Sequence, residues 1–273
     1  MTRPFALALP TPERNARPTR ALMLLARLAG FAQWWAAPLA IGALWWIASA
    51  HAWVSAQLLV SPQRVYDTAF ALWRDGELQQ NLGITLHRLA VGFGWGASSG
   101  ALCGLLLARS RTFADYVQPL FNLLRQVPTL TLIPVLILLI GIDEALKVVI
   151  VAKAVFFPIA LGTQGGVRDA PRDLIEMARH YGLGRAALLR EVLVPAALAA
   201  MLTAVRIALA RAWLALVAVE LLAADSGIGE MMEMARQMLR IDVVLVDVFV
   251  IGLIGFALDQ ALSLTQRWLT RWQ

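Results

Sequence analysis

The chain has 273 residues, 59% of them hydrophobic and only 15% charged, with a mean hydropathy of +0.67. Soluble domains average about half apolar and about a quarter charged, so this balance argues for a polytopic membrane protein and against a soluble enzyme or a nucleic-acid-binding module. The net charge of +6 is mostly arginine, and the single cysteine, Cys103, excludes an internal disulfide and a cysteine-based metal site.

Residues 1–19 hold four prolines among scattered arginines and read as a disordered arm. Residues 20–34 (RALMLLARLAGFAQW) have helical apolar periodicity with arginines, which suits an interfacial helix on the inner leaflet. Ala48-Ser49-Ala50 imitates a signal-peptide cleavage site, but the polar arm is long for such a leader, and residues 36 onward are expected to form a retained span. Spans need ~20 mainly apolar residues. Six stretches meet that need: 35–53, 88–108, 118–140, 146–166, 196–222 and 243–263. Between the first two, VYDTAFALWRDGELQQNL reads as a helix lying along the outer face. Gly92, Gly96, Gly100 and Gly104 make a small-residue stripe, expected to allow close helix packing. The third stretch carries Pro128 and Pro134 and should kink or unwind, and Gly141-Ile142-Asp143-Glu144 is a tight turn into the fourth.

Arginine and lysine segregate by side. One side gathers Arg3, Arg14, Arg17, Arg20, Arg27, Arg109, Arg111, Arg168, Arg172, Arg179, Arg185, Arg190, Arg267 and Arg271. The other holds Arg64, Arg74, Lys147, Arg236 and Arg240, with Arg88 at a boundary. The positive-inside bias therefore predicts both termini and the 168–195 connection in the cytoplasm. Ionisable residues within spans are costly and mark candidate sites. They are Arg125, Lys153, Arg206, Arg211, Glu220, Asp247 and Asp259. Arg206, Trp213 and Glu220 recur every seven residues on one stripe, with Arg211 ~140° round from Arg206. Lys153, Arg206, Arg211 and Glu220 are the candidates for a substrate pathway, in which a cation would attract an anionic cargo. The structural alternative is pairing of these arginines with Glu220 or Asp247. His51, His87 and His180 are too dispersed to form a metal site or a proton relay.

The connection contains EMARHYGLGRAALLREVLVPAAL. It reads as two short helices, with Leu174, Met177, Ala178 and Tyr181 on one apolar face, Gly182 and Gly184 as a stop, and Pro195 opening the next span. Such a face fits a groove on a partner. The spacing Glu176-Met177-Ala178, Gly182, Pro195 resembles the EAA loop of ABC importer permeases, with Met177 where alanine is usual and Val194 where leucine is common. The runs LLRQVPTLTLIPVLILLIGIDEALKVVIVAKAVFFP and VELLAADSGIGEMMEMARQMLRIDVVLVDVFVIGLIGFALDQ resemble permeases for aliphatic sulfonates, taurine and nitrate. MARHYGL, ADSGIG and GIDEALK sit nearest the alkanesulfonate branch, while Lys153 stands where that group usually has an apolar residue.

The resemblance implies an all-α type I importer permease with six transmembrane helices. Its cytoplasmic arm and interfacial helix would be 1–34, its permease domain 35–273 and its coupling loop about 168–195. It further implies a bacterial inner-membrane homodimer, embedded in lipid, with two cytoplasmic ATP-binding subunits and a periplasmic or lipid-anchored substrate-binding protein. The chain contains no G-x-x-x-x-G-K-[ST] segment, so ATP and Mg would be bound by the partner and no cofactor by this chain. Taurine, nitrate or another small oxyanion is the alternative cargo. An ion-coupled carrier would want an inverted repeat with paired carboxylates, and a membrane enzyme would want a nucleophile motif; neither pattern stands out.

Overall fold

The computed structural model describes residues 36–55, 59–169, 194–269 and, within the connection, 176–177, 180–184, 187 and 190. The arm over 1–34 with its interfacial helix, and Ala178, lie outside the described residues. Two compact units meet at Pro62–Gln63. In the first, helix α1 (Ala36–Ala50) is apolar but shorter than a full span, and the Trp45 indole donates to the Val60 carbonyl at 3.0 Å.

All regular structure among the described residues of the second unit is helical. Helix α2 (Pro62–Arg74) leads through Gly76, whose φ of +83° turns the chain, into α3 (Glu77–Arg109). Helix α3 therefore starts well before the expected 88, because ELQQNLGITLH continues the helix beyond the apolar run. Thirty-three residues span about 50 Å, so its polar first turns project past a ~30 Å hydrocarbon core. The Ser110 hydroxyl then accepts from Phe113 N at 3.1 Å and opens α4 (Arg111–Gln126).

The expected third span is broken outright. Pro128 disfavours a helical Val127, which is extended at φ −70°, ψ 116°, and the chain restarts through a 3-10 turn (Leu130–Leu132) into α5 (Ile133–Ile140). Helices α4 and α5 meet at 87°. Pro134 sits in the first turn of α5, where its missing N–H costs nothing. Gly141, with φ +79°, makes the tight turn into α6 (Glu144–Arg168). Beyond the connection come α7 (Val194–Ala223), α8 (Ile228–Gln237) and α9 (Ile241–Leu269). Helix α8 has no counterpart among the sequence expectations. Helices α3, α6, α7 and α9 are each long and apolar enough to span a membrane, and the bent pair α4–α5 makes a fifth crossing if counted as one.

The glycine stripe packs α3 on α6, the two running parallel. A Cβ on Gly96 would fall 2.5 Å from the Ala152 carbonyl oxygen, and one on Gly100 would fall 2.6 Å from that of Phe156. Only a hydrogen fits there, so the helix backbones meet directly. Helix α7 runs antiparallel to α6, with Ala204 against Gly162, and α9 runs antiparallel to α7. Leu146, Ile150, Val155, Ala208, Ala212 and Leu216 are fully buried in this core.

Candidate functional site

Within the connection, Glu176, Met177 and Tyr181 are all exposed, Met177 at 54% and Tyr181 at 84%. The turn is helical: Tyr181 N donates to the Met177 carbonyl at 3.0 Å, and the His180 ring nitrogen Nδ1 lies 3.1 Å from the Glu176 carbonyl. Gly182 follows with φ +72°, the left-handed stop expected of it. Pro195 falls at the second residue of α7, where the N–H that proline lacks has no partner within the helix. The described part of this segment presents apolar side chains that no other described residue covers.

At the opposite end of α6 and α7 lies an ionic lock that sequence reasoning missed, with Arg88 and Glu220 buried and Glu144 at the exposed edge. Arg88, treated as a span boundary, is only 2% exposed inside α3. Its guanidinium engages all five of its N–H donors. Nε and Nη2 grip the Glu144 carboxylate, the former at 2.7 Å. Nη1 donates to Glu220 Oε1 at 2.9 Å and to the Ser226 carbonyl at 2.6 Å, and Nη2 donates to Ser226 Oγ at 2.9 Å. The Thr85 hydroxyl lies within 3.0 Å of both Glu220 oxygens.

The same groups cap α8. Gly227 N donates to Asn81 Oδ1 at 2.8 Å, Ile228 N to Thr85 Oγ1 at 3.0 Å, and Gly229 N to Glu220 Oε2 at 3.1 Å. Orphan amides at a helix start thus find acceptors on α3 and α7. Gly227, at φ +108°, has no room for a side chain, since a Cβ would sit 2.5 Å from Glu220 Oε1 and 2.8 Å from Arg88 Nη1. The segments GIDEALK and ADSGIG therefore supply the two ends of one fastening. In α8, burial lifts the Glu230 carboxyl above the usual range, with further push from Asp225 and Glu77. Arg236 and Gln237 hold Glu233 down to about 2.

The four pathway candidates separate. Glu220 belongs to the lock. Arg206 forms a bidentate pair with Asp259, at 2.6 and 2.7 Å, on the half-exposed face between α7 and α9. Trp213, on the same stripe, donates from its indole to the Ile251 carbonyl at 3.3 Å. Lys153 and Arg211 come together, joined by Arg125, around a cavity of about 340 Å³ beside the α4–α5 break. Lys153 Nζ donates to the Val127 carbonyl at 2.7 Å and to Thr129 Oγ1 at 3.3 Å, and it lies 5.8 Å from the centroid of the Phe157 ring. Among the described residues, no carboxylate lines this cavity. Asp247 is wholly buried, with neither carboxylate oxygen hydrogen-bonded among the described residues.

Long apolar helices, a broken span and ionic groups sequestered between helices define a polytopic membrane protein. The model of the binding-protein-dependent transport system inner membrane components matches residues 100–272, and the chain belongs to that family. It is similar to SsuC of Escherichia coli K12, an aliphatic sulfonates transport permease protein, at 40% identity over 87% of this chain and 90% of that one. It is also similar to TauC of the same strain, a taurine transport system permease protein, at 33% identity over 84% of this chain and 85% of the relative. In three dimensions it resembles a chain of the MetNI methionine ABC transporter, solved in inward-facing conformations. The TM-score is 0.54 at 23% identity, over 68% of this chain and 93% of that one, a likeness of fold. The chain is thus an inner-membrane component of an ABC importer, a transport subunit with the all-α permease fold.

Proposed function

We propose that the protein carries aliphatic sulfonates inward across the membrane as one of two identical permease subunits, driven by two cytoplasmic ATP-binding subunits and supplied by an external binding protein. The observation that carries this reading is the 40% identity to the sulfonate permease over nearly the whole of both chains. The arginine distribution supports placing both termini and the connection in the cytoplasm, which leaves the lock end outside. Glu176, Met177, Ala178, Tyr181, Gly182 and Pro195 form the coupling element: the exposed Met177 and Tyr181 suit insertion into a groove of the ATPase. Closure of the ATPase pair on ATP would then bias the spans between inward- and outward-open states, by the difference in docking energy between them. ATP and Mg are held by that partner.

For the cargo, Lys153 and Arg211 offer positive potential near the middle of the spans. Arg206 and Glu220 enter the pathway account only through their ion pairs, which keep α7 in register with its neighbours. Taurine is the second reading, favoured by the 33% identical relative.

The test is growth and uptake of a strain lacking this chain, with and without its return. Ethanesulfonate and taurine would be offered separately as sulfur source, with nitrate uptake as control. Rescue on ethanesulfonate is expected. Rescue on taurine alone, or on neither with the protein present in the membrane, would discard the sulfonate cargo.

A further inference from the structure

The cavity at the α4–α5 break gathers three basic side chains from three separate helices: Arg125 at the end of α4, Lys153 in α6 and Arg211 in α7. Its depth follows from the helices. At 1.5 Å per residue, Lys153 lies about 14 Å from the Glu144 end of α6 and Arg211 about 18 Å from the Ala223 end of α7. Those two ends are pinned side by side, because Arg88 holds both Glu144 and Glu220. Lys153 and Arg211 therefore share one level, close to the middle of a ~30 Å hydrocarbon core.

Unneutralised charge at that depth is expensive. Two other span arginines are offset by acids: Arg88 has two carboxylates and Arg206 has Asp259. The cations around this cavity are not, for among the described residues no acid pairs with Arg125, Lys153 or Arg211. Non-helical backbone within a membrane is tolerated where it lines a cavity, and transporters place substrates at such discontinuities. Here the break itself contributes Thr129, while Phe157 and Leu214 provide an apolar wall. A volume of about 340 Å³ is at the small end of ligand pockets, which begin at about 300 Å³.

We infer that this cavity is an anion-binding site of the permease itself, in which Arg125, Lys153 and Arg211 receive the charged oxygens of a small organic oxyanion and Phe157 and Leu214 receive its aliphatic end. The inference rests on the sulfonate reading for the identity of the anion and adds a station of selectivity within the membrane. A sulfonate head offers three oxygens to several N–H donors and stays ionised at any physiological pH, so the guanidinium groups can hold it by charge-assisted hydrogen bonds. Lys153 has a second task, since it already bonds the carbonyl freed by the break, so the two arginines carry the test.

The experiment uses the full permease–ATPase complex in lipid nanodiscs, free of nucleotide and of binding protein, with radiolabelled ethanesulfonate as probe. Wild type should bind it saturably, and Arg125→Gln or Arg211→Gln should each weaken binding about tenfold or more, the usual scale for losing a charged hydrogen-bond donor. Arg211→Lys, which keeps the charge but loses the planar fork, should weaken it less. Methanesulfonate should compete, and ethyl methyl sulfone, similar in shape but neutral, should not. Absence of saturable binding, unchanged affinity in both Gln variants, or equal competition by the sulfone would each overturn the site. If the Gln variants do not assemble, the Lys variant and the sulfone competition decide. Import by the same preparations with binding protein added separates the two readings. Wild-type import of ethanesulfonate without binding to the complex removes the site and leaves the function standing. Import of nitrate but not ethanesulfonate removes the sulfonate cargo, and the binding assay repeated with nitrate then judges the site.

Discussion

The lock around Arg88 and the cavity around Arg211 are built from the same helices, α6 and α7, and from the same residue types, yet they are opposites. In the lock every donor of the guanidinium has an acceptor, both carboxylates are shared, and the helix start beside it is capped. In the cavity three cations face one space with no acid among the described lining residues. The exposed turn at Met177 and Tyr181 shares that open character, with apolar rather than charged groups left uncovered. Charges satisfied within the chain hold the spans together. We propose that the groups left unsatisfied at the cavity and at the turn are where something from outside the chain is received.

The contrast breaks most visibly at Arg88. Arg88→Ala would strand Glu220 at 1% exposure and unpair Glu144, and removing one partner of a buried pair costs about 3–5 kcal/mol. Thermal unfolding of the solubilised protein should shift down by roughly 10 °C or more. In a Glu220→Gln background, where the amide oxygen still accepts from Thr85 and Gly229, Arg88→Met should cost distinctly less. Equal losses in the two backgrounds would mean that the pair is not coupled.

A sharper separation comes from the loop. Proline fixes φ near −65°, and Gly182 stands at +72°, so Gly182→Pro should cut uptake by roughly tenfold or more while leaving membrane insertion and the melting temperature close to wild type. ATP hydrolysis measured beside uptake would show the two uncoupled, and normal coupled transport would remove the segment from the mechanism.

The smallest expected effect is at Arg211. Replacing a cation that has no acid partner among the described residues by an apolar side chain of similar length, Arg211→Met, should leave the midpoint within about 3 °C of wild type or raise it. A fall comparable to that of Arg88→Ala would show that Arg211 is a structural cation after all.

Much of this molecule was legible along the chain. Pro128 announced the break, because the residue before a proline leaves the helical region, and Val127 does so. Gly182 announced a left-handed stop, and the four-residue glycine spacing announced a close helix contact, which proved to be α3 on α6. Each is a local rule in which one residue type constrains its own backbone or its own helix face.

Arg88 was not legible. It falls at the edge of the apolar run, which looks like a span boundary, but the helix had begun at Glu77 and carries Arg88 inside. Helix α8 was missed for a related reason: its first amides are satisfied by Asn81, Thr85 and Glu220 rather than by a capping residue of its own.

The sequence by itself determined a membrane-spanning, all-helical chain and the phrases that mark its family, since composition, periodicity and single-residue backbone limits are local. Only the tertiary structure decided which charges cancel. Arg88 and Glu220 are 132 residues apart, and Arg206 and Asp259 are 53 apart. A charge's cost depends on what stands within a few ångströms of it, and that is a property of packing, not of order along the chain.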